Sequence, residues 1–134
     1  MGNRVTLYLL DTTTLIDDSK LVVPTRSRIT AALRAGHELG VCAVVVAEFE
    51  SGLLLAERAA WEQFLNESLQ FWPVSRTTAQ RAGQERFSFA RRGVHISVAD
   101  ALVAAVAREF GAVLVTDNVK DFPQTDLQVV SWRQ

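Results

Sequence analysis

The chain of 134 residues is long enough for one domain with a hydrophobic core, and its 49% hydrophobic and 22% charged residues exclude a disordered protein. The net charge of −1 gives no overall attraction for nucleic acid, and the single cysteine excludes an internal disulfide and fits the cytoplasm. No apolar run reaches the roughly 18 residues of a membrane span, and the N-terminus lacks the features of a signal peptide, so we expect no membrane association.

The first half of the chain alternates short apolar runs with helical patterns. Residues 5–10 and 41–46 are apolar on both faces, which is typical of central strands in a parallel sheet. Helices are predicted around residue 15, from residue 24 onward, and from residue 47 through residue 69. We expect Asp17 and Asp18 to interrupt the first of these helices at the surface.

The second half continues this alternation. Residues 70–74 predict a short strand at an edge of the sheet, because proline cannot donate to a strand ladder. Ser75 should cap the next helix, and residues 93–110 predict a buried helix that carries a single carboxylate, Asp100, in its first turn. Strands are predicted at residues 112–115 and 127–132. Residues 1–134 should therefore form a single α/β domain with a central, mostly parallel sheet flanked by helices.

Acidic residues follow three of the predicted strands. Asp11 ends the first, Glu48 closely follows the second, and Asp117 follows the strand at residues 112–115. Ligands bind at the carboxyl ends of strands in open α/β sheets, so these acids and Asp100 are expected to converge there. Each acid alone has a structural explanation. Asp100, for example, lies three residues after Ser97, as in a capping box.

Clustered carboxylates repel one another unless a cation neutralises them. An all-oxygen set of ligands suits Mg²⁺ or Mn²⁺, and either ion supports phosphoryl chemistry by activating water. Zinc is disfavoured because His37 and His95 lie apart from the acids in sequence. The residues alone do not decide between one and two ions.

Arginines are concentrated in residues 76–92, where they outnumber a single acid, Glu85. These are Arg76, Arg81, Arg86, Arg91 and Arg92. Arginine suits bidentate contacts with phosphate, although a solvated helix face explains the same pattern. Arg91 and Arg92 are our candidates for contacts with a nucleic-acid backbone.

Four blocks of the sequence resemble the signature blocks of PIN domains, especially those of the VapC toxins of bacterial toxin–antitoxin pairs. They are LLDTTTLID, VVVAEFESG, ISVADALVAAVA and LVTDNVKDF, starting at residues 9, 44, 96 and 114. The order and spacing of the blocks and the total length of the chain also match, so the resemblance covers essentially the whole chain. The resemblance implies a Mg²⁺-dependent endoribonuclease that is usually dimeric and is inhibited by a small VapB-type antitoxin.

The resemblance also implies roles for individual residues. Asp11 and Asp100 match the two metal-binding aspartates, and Glu48 matches the glutamate of the second block, which we expect to orient or deprotonate the attacking water. Glu50 does not fit that spacing and should be at the surface. Thr12 and Thr116 match hydroxyl positions beside the acids, where they would contact substrate.

The fourth acidic position departs from the acidic form of the pattern. It aligns best with Asn118, an amide, and the neighbouring Asp117 and Asp121 are alternatives. This departure leaves open a binding module on the same fold that holds RNA or protein without cleaving it. A response-regulator-like switch is disfavoured because no aspartate ends a central third strand. Trp61 and Phe64 are candidates for a dimer interface, although they suit the core equally well.

Overall fold

The computed structural model describes residues 4–134, so the N-terminal Met-Gly-Asn, a weak match to an acylation signal, lies outside the described residues. Five strands and six α-helices alternate along the chain, as the sequence predicts. They are β1 Leu7–Leu10, α1 Thr12–Ser19, α2 Val23–Arg34, β2 Glu38–Cys42, α3 Ala43–Ser51, α4 Arg58–Glu67, β3 Gln70–Trp72, α5 Arg76–Arg91, α6 Val98–Phe110, β4 Val113–Val115 and β5 Val129–Val130.

The five strands form one parallel sheet in the order β3-β2-β1-β4-β5. Strand β1 is central, and its Leu9 is in register with Gly40 of β2 and Leu114 of β4. Leu9 and Leu114 are completely buried, as expected for a strand covered on both faces. The predicted α/β architecture is confirmed, and it brings the carboxyl ends of β1, β2 and β4 to one edge.

Helix α6 is the buried helix that the sequence predicts. Five of its residues from Val103 to Ala107 are buried, and they pack against the sheet or α5. The hydroxyl of Ser97 accepts a hydrogen bond from the Asp100 backbone N–H at 3.1 Å, which fixes the start of the helix. Gly111 ends it with a φ of 64°, a left-handed conformation that glycine adopts without a Cβ clash.

The predicted strand at residues 41–46 is wrong at its end. Strand β2 ends at Cys42, and the run Val44, Val45 and Val46 belongs to α3. Val45 is completely buried, so packing of this helix against the core overrides the strand preference of β-branched residues. Glu48 consequently lies in the second turn of α3 and not at the start of a helix.

Three other features differ from the predictions, namely the bounds of a helix, the burial of Asp17 and the length of the last strand. The helix predicted from residue 47 to 69 is divided, because α3 ends at Ser51 and α4 begins at Arg58 after a short 3₁₀ turn. Asp17, expected at the surface, is inside α1 and only 6% exposed. The last strand is limited to Val129–Val130.

Gly40 lies within β2 and does not mark the end of α2, as its sequence position suggested. A Cβ at this position would lie 2.6 Å from ring carbons of Trp72. Trp72 is itself buried and stacks on Phe110 at 5.0 Å between ring centroids. The glycine therefore lets the tryptophan ring pack directly against the backbone of β2.

Candidate active site

Asp11 is the most buried acid at the carboxyl edge of the sheet. It directly follows β1, is 6% exposed, and accepts a hydrogen bond on Oδ2 from the hydroxyl of Thr116 at 2.8 Å. Burial raises the pKa of Asp11, the hydrogen bond from Thr116 opposes that rise, and the charges of Asp100 and Glu48 add to it. Asp100 and Glu48 are therefore near enough for their charges to act on Asp11.

Glu48 reaches the same place from α3. Its Oε1 accepts a hydrogen bond from the hydroxyl of Thr12 at 2.9 Å, so the residue after Asp11 orients the glutamate. Glu50, expected at the surface, instead lies partly buried on another face of α3. It pairs with Arg58 at 3.1 Å and accepts a hydrogen bond from the indole of Trp61 at 3.2 Å. Glu48 is thus the acid that α3 contributes to the site, as its spacing indicated.

Asp100 contributes the third carboxylate from the first turn of α6. Burial raises its pKa, a hydrogen bond with Ser97 opposes the rise, and the charges of Asp121 and Glu48 add to it. Ser97 therefore both caps the helix and contacts the carboxyl group. Capping does not exclude metal binding, because a carboxylate has two oxygens.

Asp121 is the fourth acid near this group, and the sequence predicts it only as an alternative to Asn118 at the fourth position. It ends a short 3₁₀ turn, Val119–Asp121, and lines a cleft of about 300 Å³ together with Asp100, Ser97 and Lys120. Asn118, which aligns with the acidic position, is exposed. The turn that follows Asn118 brings Asp121 toward Asp100.

Asp117, which we predict among the catalytic acids, has its observed contacts on the side of β5 and α1, and its catalytic role stays a prediction. Its Oδ1 accepts a hydrogen bond from the hydroxyl of Ser131 at 3.2 Å, and its carboxylate is near enough to Asp17 to act on the pKa of that residue. Burial and the neighbouring Asp117 raise the pKa of Asp17 to about 6, and Arg133, at 3.7 Å, opposes that rise. Asp117 therefore belongs to a carboxyl pair behind the site.

Threonine hydroxyls connect the residues that follow β1 with the residues that follow β4. The Thr116 hydroxyl, besides donating to Asp11, accepts the backbone N–H of Asn118 at 3.1 Å. The Thr13 hydroxyl accepts the backbone N–H of Asp117 at 3.0 Å. Thr12 and Thr116, predicted to contact substrate, thus already use their hydroxyls on Glu48 and Asp11. Their observed contacts are those of positioning residues.

The donor set fits a divalent cation. Across residues 4–134, no ion pair joins Asp11, Glu48, Asp100 or Asp121 to a lysine, arginine or histidine. Nor do any three His, Cys, Asp or Glu side chains in that range lie close enough to ligate one ion together. A hard ion that keeps several waters, as Mg²⁺ does, needs only one or two direct carboxylates. Lys120 lines the cleft of Asp100 and Asp121 but makes no ion pair with them, so an ion of this kind would still neutralise carboxylate charge at this edge of the sheet.

Arg91 and Arg92, at the end of α5 and at its C-cap, each lie over a different aromatic ring. The guanidinium of Arg91 lies 5.6 Å from the ring centroid of Phe87, and that of Arg92 lies 4.4 Å from that of Phe89. Both arginines are exposed, and their contact with RNA remains a prediction. Arg86, in contrast, donates to the Ile96 carbonyl at 2.8 Å and ties α5 to the loop before α6.

Trp61 is not an exposed candidate for a dimer interface. It is 5% exposed and packs on Phe49 at 4.5 Å between ring centroids, while Phe64 is partly buried against the same core. These aromatic residues therefore serve the core in this structure. The expectation of a dimer rests on the resemblance alone.

A parallel α/β sheet with acids at the carboxyl end of β1, in the second turn of α3 and in the first turn of α6 defines a class of proteins, and comparison with known families identifies it. The family model described as PIN domain matches residues 8–127, so the chain belongs to the PIN-domain family. It is also 32% identical over 118 residues to Ribonuclease VapC10 of Mycobacterium tuberculosis, a match that covers 87% of this chain and 86% of that protein. This similarity places the chain among the VapC ribonucleases.

Solved structures with the same fold come from toxin–antitoxin complexes. A chain of VapBC2 from Rickettsia felis, bound to a DNA fragment from its promoter, has a TM-score of 0.82 at 23% identity, covering 95% of this chain and 99% of that one. A chain of VapBC-1 from nontypeable Haemophilus influenzae has a TM-score of 0.76 at 24% identity, covering 96% and 100%. At these identities the similarity establishes the fold.

Membership of this family implies a divalent metal ion as cofactor. Within the part of the chain that the structure describes, no helix is both long and apolar enough to cross a membrane.

Proposed function

We propose that this protein is a Mg²⁺-dependent endoribonuclease that acts in the cytoplasm as the toxin of a type II toxin–antitoxin pair, with Mn²⁺ as an alternative ion. The observation that carries the proposal is the group of Asp11, Glu48, Asp100 and Asp121 at one sheet edge, without a cationic partner among residues 4–134, in a chain 32% identical to a VapC ribonuclease. A VapB-type antitoxin and a second copy of this chain are the proposed protein partners.

Asp11 and Asp100 would hold the ion, because both lie on rigid supports. Thr116 fixes the Asp11 carboxylate and Ser97 fixes Asp100 at the helix start. When bound, such an ion neutralises charge that develops on a phosphodiester and lowers the pKa of a bound water. Asp121 lies near Asp100 and takes the fourth position, for which the sequence offers Asn118.

Glu48 acts as the general base. It accepts a proton from the attacking water while that water forms a bond to phosphorus and one P–O ester bond breaks. The leaving oxygen takes a proton from solvent, so that one fragment carries a phosphate and the other a hydroxyl. The hydrogen bond from Thr12 holds Glu48 in position, and an exposed carboxylate can pass its proton on to solvent. Arg91 and Arg92 contact the RNA backbone.

Metal removal tests this function. The protein, freed of any antitoxin and incubated with total cellular RNA, should produce discrete fragments with Mg²⁺, none with EDTA, and the same fragments once excess Mg²⁺ is restored. The measurement is gel analysis of the RNA. Cleavage that continues in EDTA would contradict the proposal. Binding of RNA without cleavage, by protein that also binds the metal, would instead support the alternative of a non-catalytic binding module.

A further inference from the structure

A second cleft lies near the candidate active site, and of its lining residues the function proposed above uses only Arg92. It encloses about 460 Å³ between α5, the later part of α6 and the loop at residues 123–126. Pro123 lines both this cleft and the acidic cleft that contains Asp100 and Asp121. The two clefts are therefore neighbours on the surface of the protein.

The acids of this cleft are already engaged by one arginine. Arg108 contacts both carboxylate oxygens of Asp126, at 2.8 and 3.0 Å, and Glu85 at 3.0 Å. These contacts raise the pKa of Arg108 and lower that of Asp126, so the network remains ionised. This network of two carboxylates and one arginine carries a net charge of −1, so any excess of positive charge in the cleft depends on the other arginines that line it.

Two further arginines line the same cleft without a carboxylate partner between residues 4 and 134. They are Arg81 and Arg92, both exposed. Arg92 stacks on Phe89, a contact with the face of the guanidinium that leaves its in-plane N–H groups free to donate. The two arginines are eleven residues apart on α5 and its C-cap, or roughly 16 Å along the helix axis. They are too far apart to share one phosphate.

Gln124 adds a buried polar group. It is 6% exposed, and its amide nitrogen donates to Glu85 at 2.8 Å, which fixes the orientation of the side chain. Its carbonyl oxygen accepts no hydrogen bond from any residue between Arg4 and Gln134. A buried acceptor of this kind is costly unless a donor reaches it.

We infer that this cleft is a subsite for single-stranded RNA next to the scissile phosphate. Arg92 takes the phosphate nearer the acids, Arg81 takes one further along the strand, and the Gln124 carbonyl accepts from a ribose hydroxyl or a base amine. The inference rests on the proposed function and deepens it. It also assigns different roles to Arg92 and Arg91, because Arg91 lies over Phe87 and is not among the residues lining this cleft.

Salt-dependent binding tests the subsite without depending on cleavage. The probe is a fluorescently labelled, single-stranded uridine oligonucleotide, and its binding to Asp100→Asn protein is followed by anisotropy over a range of salt concentrations. Adding Arg81→Ala and Arg92→Ala should weaken binding roughly tenfold and lower the slope of log K against log salt by about 0.7 for each phosphate that the protein no longer neutralises. Arg81→Lys with Arg92→Lys should keep most of the slope, because the charges remain.

Arg34→Ala is the matched control, an exposed arginine at the end of α2, and it should leave both affinity and slope unchanged. An unchanged slope in the Arg81→Ala, Arg92→Ala protein would overturn the subsite, whatever the outcome for cleavage. Absence of Mg²⁺-dependent cleavage by the unsubstituted protein would overturn the proposed function but not the subsite. The two failures are therefore distinguishable.

Discussion

Replacing Asp100 with asparagine should reduce RNA cleavage by about a thousandfold or more while leaving the fold intact. The amide keeps the size of the side chain, and Ser97 still caps α6 through the backbone N–H of residue 100. The replacement removes a negatively charged oxygen ligand, and metal stabilisation of a phosphoryl transition state is worth several kcal/mol. The measurement is the initial cleavage rate in Mg²⁺, with circular dichroism to verify folding.

Asp18→Asn provides the matched control for that variant. Asp18 is an aspartate of α1 that pairs with Arg26 at 3.5 Å and is not part of the acid group. Its replacement should leave the cleavage rate unchanged. Full activity in Asp100→Asn protein would remove Asp100 from the mechanism, and equal reductions in the two variants would indicate a general effect of the change in charge.

The second large effect concerns stability and pH. The pKa of Asp17 is about 6 in the folded protein against an ordinary value of 3.8, so the folded state holds a proton that the unfolded state has released. The stability from this pair is complete below the ordinary pKa and is lost as the pH rises through about 6. Asp17→Asn should remove that loss and stabilise the protein at neutral pH by at most about 3 kcal/mol.

Chemical denaturation at several pH values would measure this effect. The unsubstituted protein should lose free energy of unfolding between about pH 4 and pH 6, and Asp17→Asn protein should lose less over the same range. Asp126→Asn is an informative contrast, because the pKa of Asp126 is lowered by Arg108. That replacement should destabilise the protein at neutral pH. Identical pH profiles for the Asp17→Asn and unsubstituted proteins would mean that folding does not raise the pKa of Asp17.

The sequence predicts those parts of the site that lie on regular elements. Asp11 ends an apolar strand and Asp100 sits in the first turn of an apolar helix, so periodicity and capping alone place both at the carboxyl edge. Glu48 also lies there, although the sequence predicts a different position for it within its helix. It was expected to follow a strand closely, whereas it projects from the second turn of α3.

The features that the sequence does not predict depend on tertiary contacts. Three consecutive valines favour a strand locally, yet burial of Val45 against the core makes them part of α3. The neighbours of Asp17 in the sequence are those of a surface residue. Its burial is not predicted, because only the folded chain brings Ser131 and Asp117 to that side of α1. Asp121 depends in the same way on a turn after Asn118, and irregular turns carry no periodic signal.

Calorimetric titration with a divalent ion tests the central claim most directly, because it measures the ion at the acids without any need for RNA. The unsubstituted protein, freed of metal, should bind Mn²⁺ or Mg²⁺, and a protein with both Asp11→Asn and Asp100→Asn should show no binding in the same range. Asp18→Asn protein should bind as the unsubstituted protein does. Equal affinity in the unsubstituted and doubly substituted proteins would contradict the assignment of Asp11 and Asp100 as metal ligands.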